Sequence, residues 1–207
     1  MTKQKIIVAV IGPNGSGKTS AIHATEIYES LTFINPDDIA KRDFADIQDT
    51  NERDYLAWQQ CNALRESLIV QGVSFGFETV GSHPSKVNLL REAERLGYLV
   101  TILFVGTETP DISIKRVAQR VACGGHPVPD EKIRSRYQRT MELLPEYFDV
   151  ANAITVWDNS IDADTENKTP IRELLHKKLD GTVSITPAAK EVLWIQKYLL
   201  DKLRKTQ

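Results

Sequence analysis

The stretch Ile6-Ile7-Val8-Ala9-Val10-Ile11-Gly12-Pro13-Asn14-Gly15-Ser16-Gly17-Lys18-Thr19 decides the fold class of this chain. Its first half is continuously apolar and largely β-branched, as in a strand buried on both faces of a parallel sheet. Its second half, Gly12 to Thr19, matches G-x-x-x-x-G-K-[ST] at every fixed position. Glycines let the backbone curl so that successive N–H groups point inward at an anion. A helix starting near Lys18 adds the positive end of its dipole. In such a loop the lysine reaches the β- and γ-phosphates of a nucleotide, and the hydroxyl after it ligates Mg2+. The expected phosphate contacts are Gly12, Asn14, Gly15, Ser16, Gly17, Lys18, Thr19 and Ser20, with Thr19 as the metal ligand. A glycine-rich turn with no ligand is the competing reading. The strand before the loop and the helix after it argue against that.

Working outward, apolar runs alternate with helical patterns. Strands are expected at Leu31–Asn35, Val73–Val80, Tyr98–Val105 and Ile154–Trp157. Helices are expected at Asn51–Val70, Pro84–Leu96, Pro110–Ala122 and Asp130 to about Leu144. Leu56, Leu64 and Leu68 mark part of the apolar face of the second helix in this run of the chain, the one from Asn51 to Val70. Two terminal helices are read at Pro170–Leu179 and Pro187–Arg204. The pattern predicts an α/β three-layer sandwich with a mostly parallel sheet of five or more strands, the P-loop kinase architecture. One domain over 1–207 is expected, with a lid at about 116–140 and a helical extension at about 170–207.

Composition narrows the function. The formal net charge is −2, without the basic excess of a protein that grips a nucleic-acid backbone. Cys61 and Cys123 match no zinc spacing and no disulfide framework. No stretch is long and apolar enough to span a bilayer, so a cytoplasmic protein is expected. Guanine specificity would need an N-K-x-D element. Asn167-Lys168-Thr169-Pro170 lacks the aspartate. ATP and Mg2+ are therefore the expected cofactors.

The remaining candidates sit at strand ends. Asp37 and Asp38 follow the second strand, where an open parallel sheet presents its ligand crevice. Either could take the proton of an acceptor hydroxyl. Either could equally be a helix cap. Glu78 and Thr79 end the third strand at the same rim, where a carboxylate could hold Mg2+ through water or bind substrate, or could simply be a polar strand end. Arg116 and Arg120 lie four apart on one helix face, and Arg134, Arg136 and Arg139 follow the loop Gly124-Gly125-His126-Pro127-Val128-Pro129. Five arginines beside a glycine–proline loop suit a phosphate clamp, with His126 and Arg116 as substrate contacts. A solvated basic face is the alternative. Trp58, Trp157 and Trp194 are read as packing residues.

The loop G-P-N-G-S-G-K-T, the segment N-P-D-D-I-A, the strand end F-E-T-V and the block from Arg116 to Arg139 together resemble the zeta-toxin family of small P-loop kinases. The likeness runs from about Ile6 to Asn159. It implies transfer of phosphate from ATP to a hydroxyl of UDP-N-acetylglucosamine. It also implies Asp37 as base, Arg120 and Arg136 as arginines holding the transferred group, Glu78 and Thr79 against the acceptor, and an antitoxin as partner. The family tends to carry Arg-Arg before the lid tyrosine. Here Ser135-Arg136 precedes Tyr137. The residues themselves leave two other readings open. One is an ATP-dependent switch that only hydrolyses. The other is a kinase for another small alcohol, such as an antibiotic or a nucleoside.

Overall fold

The strand opening the phosphate loop becomes the middle one of five parallel strands. The structure, a computed structural model, describes residues 4–25, 31–125, 127–161 and 171–205. Five strands run parallel: β1 (Lys5–Ile11), β2 (Thr32–Ile34), β3 (Phe75–Thr79), β4 (Tyr98–Gly106) and β5 (Ala153–Asp158). Two antiparallel strands, β6 (Arg172–Lys177) and β7 (Val183–Ile185), extend the far edge. The order is β2-β3-β1-β4-β5-β6-β7, so β1 is flanked on both sides. Ile7, Ala9 and Ile11 face one core cluster and Val10 faces another, which is why this strand reads as an unbroken apolar run.

The larger cluster packs the sheet against α2 (Pro36–Asp43), α3 (Thr50–Gln71), α4 (Pro84–Arg95), α6 (Asp130–Glu142) and α7 (Leu144–Val150). The smaller one packs Ala21 and Ile22 of α1 (Lys18–Ala24) on Val10, Leu103 and Val105. Helix α5 (Pro110–Ala122) begins at the proline expected for its first turn. It stops where Gly124 takes φ of 88° and the Gly125 amide donates to the Arg120 carbonyl.

The expected helix over Pro170–Leu179 is instead strand β6. Leu174 and Leu175 are both fully buried, so the strand is apolar on both faces and shows no alternation to distinguish it from a helix. Its place is set by partners distant in sequence, β5 and β7. The second expected helix, Pro187–Arg204, is present in pieces. A 3-10 turn at Pro187–Lys190 precedes a helical run over 193–205 with a π-helical stretch at Gln196–Leu200. Trp194 anchors this run: its Nε1 donates to Asp158 Oδ1 at 2.9 Å, and its ring lies so close to Gly106 that a Cβ there would meet it at 2.6 Å. Asp158 is 1% exposed and also accepts from Arg172 at 2.6 Å and from Ser160, so its buried carboxylate is satisfied.

Candidate active site

The carboxyl ends of β1, β2 and β3 open on one rim, in register: Ile11 lies beside Thr79, and Ile34 beside Phe77. The phosphate loop turns off β1 there. Gly15 and Gly17 adopt φ of 70° and 91°, the left-handed conformations that glycine takes without strain. At Gly12 the constraint is space, since a Cβ would lie 2.2 Å from the Val105 carbonyl oxygen. Lys18 is 7% exposed, and its ammonium donates to the carbonyls of Gly12 and Pro13 at 2.9 and 3.0 Å. Burial pulls its pKa below the ordinary lysine value, and Glu78, 3.7 Å away, opposes that. The side-chain oxygens of Asn14 and Ser16 are buried at the loop with no protein partner. The curl, the buried cation and these waiting polar atoms fit a phosphate group.

A prop outside the motif supports this loop. Asn159, just beyond β5, donates from Nδ2 to the Ser16 carbonyl at 2.8 Å. Arg116 donates to the Asn159 carbonyl at 2.7 Å and to the Ile161 carbonyl at 3.3 Å. Arg116 therefore reaches the loop after β5 and is not part of the cleft lining, unlike the expected substrate contact. Ser20 is exposed on α1 and also lies outside the lining. His126 falls outside the described residues.

The other expected residues converge. A cleft of about 520 Å³ is lined by Lys18, Asp37, Glu78, Thr79, Arg120 and Arg136, with Asn14 and Gly15 of the loop. Asp37 reaches it from the first turn of α2. The cap of that helix is Asn35, whose side chain accepts from the Asp37 amide at 2.9 Å. The Asp37 carboxylate is thereby released from the capping role that the sequence left open. Asp38 is not in the lining. Thr19 Oγ1 donates to Glu78 Oε2 at 3.3 Å, so a hydroxyl and a carboxylate meet beside the phosphate loop.

The two cleft arginines differ in their supports. Arg120 ends α5, and a Cβ on Gly125 would press 2.7 Å from its Cγ. Arg136 rides on α6, a fixed wall: Tyr137 donates to the Thr107 carbonyl at 2.6 Å and Thr140 to the Val80 carbonyl at 2.9 Å. Burial, and secondarily Arg139, holds the Arg136 guanidinium below its ordinary pKa.

Sequence reading missed three residues beside the cleft. Arg65, Lys86 and Trp58 line a smaller pocket of about 210 Å³ that shares Pro36, Glu78, Thr79, Val80 and Arg136 with the main one. Trp58 is 49% exposed, not a core residue. The buried face of α3 is Ala57, Cys61, Arg65 and Ile69, with Leu64 and Leu68 only partly buried beside it. The four-residue spacing was visible, but an arginine inside it hides the stripe. A larger cavity of about 850 Å³ lies between α5, α6 and the C-terminal run, and contains no phosphate-loop residue.

The zeta toxin family profile matches residues 1–162. The chain belongs to the zeta toxin family. That places it among the P-loop phosphotransferases. An uncharacterized protein of Haemophilus influenzae is 28% identical over 128 residues, 61% of this chain and 88% of its own. Among solved structures, a chain of the AvrRxo1-ORF1:AvrRxo1-ORF2 structure with sulphate ions superposes with a TM-score of 0.65 at 15% identity, over 91% of this chain. This chain spans only 63% of that one. A structure of that complex with ATP gives 0.64 at 16% identity, again over 91% of this chain and 63% of that one. The PezAT toxin–antitoxin system of Streptococcus pneumoniae gives 0.57 at 18% identity, over 98% of this chain and 88% of that one. These likenesses show a shared fold.

Proposed function

We propose that the protein transfers the γ-phosphate of ATP to a hydroxyl of a small molecule. One observation carries the reading: Lys18, Asp37, Arg120 and Arg136 line a single cleft although 118 positions separate the first from the last. The phosphate loop would hold the β- and γ-phosphates. Asp37 would accept the proton as the acceptor oxygen bonds to the γ-phosphorus and the bond to the β–γ bridging oxygen breaks, releasing ADP. Arg120 and Arg136 would stabilise the charge spread over the transferring oxygens.

Mg2+ uses few protein oxygens besides phosphates and water, and Thr19 with Glu78 fits that demand. Bound there, it would neutralise charge between the β- and γ-phosphates. Among the described residues no cluster of three or more His, Cys, Asp or Glu could cage a metal by itself. The resemblance makes UDP-N-acetylglucosamine the first acceptor to try. The likeness to the PezAT toxin–antitoxin system makes an antitoxin partner part of the reading. A cytoplasmic location goes with this reading. Among the described residues no helix is long and apolar enough to cross a membrane.

The test is incubation with ATP and a panel of alcohols, reading the acceptor. A phosphomonoester supports the kinase. ADP with inorganic phosphate alone, for every alcohol, supports the hydrolytic switch.

A further inference from the structure

Arg65 is 2% exposed and sits in the middle of α3, one of the largest fully buried side chains of the protein. Such a cation normally has a carboxylate partner, because stripping water from an unpaired charge is strongly unfavourable. Among the described residues no carboxylate pairs with it. Its Nε has no hydrogen-bond partner, its NH1 reaches the Asn62 side-chain oxygen at 3.5 Å, and its other polar contact is the Cys61 sulfur. The potential anion that acts on it is the Cys61 thiol, whose pKa burial pushes up, so the thiol is neutral. The face of Phe77 lies 4.9 Å from the guanidinium carbon, a weak substitute for an anion.

Lys86, from α4, points into the same pocket. Its ammonium donates to that same Asn62 oxygen at 2.7 Å and lies 5.9 Å from the Trp58 ring. One neutral amide oxygen thus serves two cations. Glu78 is on the pocket wall but is engaged with Lys18 and Thr19. Arg136 adds a third positive charge where the pocket joins the main cleft. Burial, and after it the neighbouring Arg65, lower the Lys86 pKa to about 8, with Cys61 and Glu66 opposing them only in part.

We infer that Arg65 and Lys86 form an anion subsite, which binds a carboxylate or phosphate carried by the acceptor while its hydroxyl reaches toward Asp37. The word acceptor rests on the kinase reading; the anion subsite does not. At about 210 Å³ the pocket is smaller than the ~300–1,000 Å³ typical for drug-sized ligands, so it suits one charged group and a short stem. A planar, buried guanidinium beside an ammonium is the donor set that binds oxyanions.

The first test titrates inorganic phosphate, and separately acetate, into protein saturated with Mg2+ and a non-hydrolysable ATP analogue that fills the phosphate loop. Calorimetry should show one anion site, weakened about tenfold or more in both Arg65→Met and Lys86→Met. Arg65→Met should also keep or raise the unfolding midpoint, since it removes an unpaired buried charge. No anion binding in the wild type, or unchanged affinity in both variants, overturns the inference. A lowered midpoint for Arg65→Met with unchanged affinity assigns Arg65 to structure alone and overturns it too.

The second test compares matched alcohols as acceptors: glucose, gluconate and glucose 6-phosphate, and N-acetylglucosamine, its 1-phosphate and its UDP ester. Charged members should exceed neutral ones by about tenfold or more in kcat/KM, and Arg65→Met should erase that margin. The carboxylate and phosphate arms separate the two anion sources. Equal turnover of charged and neutral acceptors sinks the inference and leaves the kinase standing. Arg65-dependent phosphate binding with no acceptor phosphorylated keeps the anion site and sinks the kinase.

Discussion

Lys18 and Arg65 are both buried cations beside the same carboxyl-end rim, and they are held in opposite ways. Lys18 rests on two backbone carbonyls with Glu78 at 3.7 Å, a position set by the loop's own geometry. Arg65 shares one distant amide oxygen with Lys86 and stacks on a ring. The first is locally encoded, parked where the curl of the loop puts it, and is the phosphate ligand of the proposed function. The second is held by the packing of α3 on β3, and the protein tolerates its unpaired charge. Proteins keep such strain where function needs it.

The comparison can be broken at several points. Lys18→Ala should abolish both ATP binding and transfer, because the loop loses its only ammonium; titration with ATP checks this. Asp37→Asn should keep ATP affinity and lower kcat by about 10²- to 10⁴-fold, the range for a general base. Normal turnover in that variant would remove Asp37 from the role. Arg136→Ala should lower kcat by about 10²- to 10³-fold, as when a donor to the developing charge is lost.

A smaller effect sharpens the contrast between two arginines. Arg172 bonds the buried Asp158 carboxylate at 2.6 Å. Arg172→Met strands that charge and should destabilise the fold by about 3 kcal/mol in denaturant unfolding. Arg65→Met should not. The smallest effect is in pH. The cationic form of Lys86 binds an anion, and its pKa is about 8, so acceptor affinity should be flat below that value and fall by at most about tenfold per unit above it. The charged or titratable groups around it are Arg65 and Glu66 of α3, Cys61, His83, Glu78 and Arg136. Lys86→Arg should move the fall to higher pH.

How much could be read from sequence follows the same division. The phosphate loop, the strand before it and Pro110 at the start of α5 are local signals, and the structure bears them out. Asp37 and Glu78 were legible as strand-end carboxylates, though only the Asn35 cap shows that Asp37 is not used in capping. Strand β6 was misread because Leu174 and Leu175 bury both faces and carry no period. Arg65 was invisible because a charged residue in a helix normally marks the solvent side. The Asn159 prop links residues 143 positions apart, and no spacing rule reports that.

The central claim is phosphoryl transfer, and phosphorus NMR of one reaction tests it most directly. Wild type and Asp37→Asn are each incubated with ATP, Mg2+ and the acceptor panel. The account predicts a new phosphomonoester in step with ADP for the wild type, on a charged acceptor, and its near absence for the variant. ADP and inorganic phosphate in equal amounts from both proteins, with no phosphomonoester on any acceptor, would contradict it.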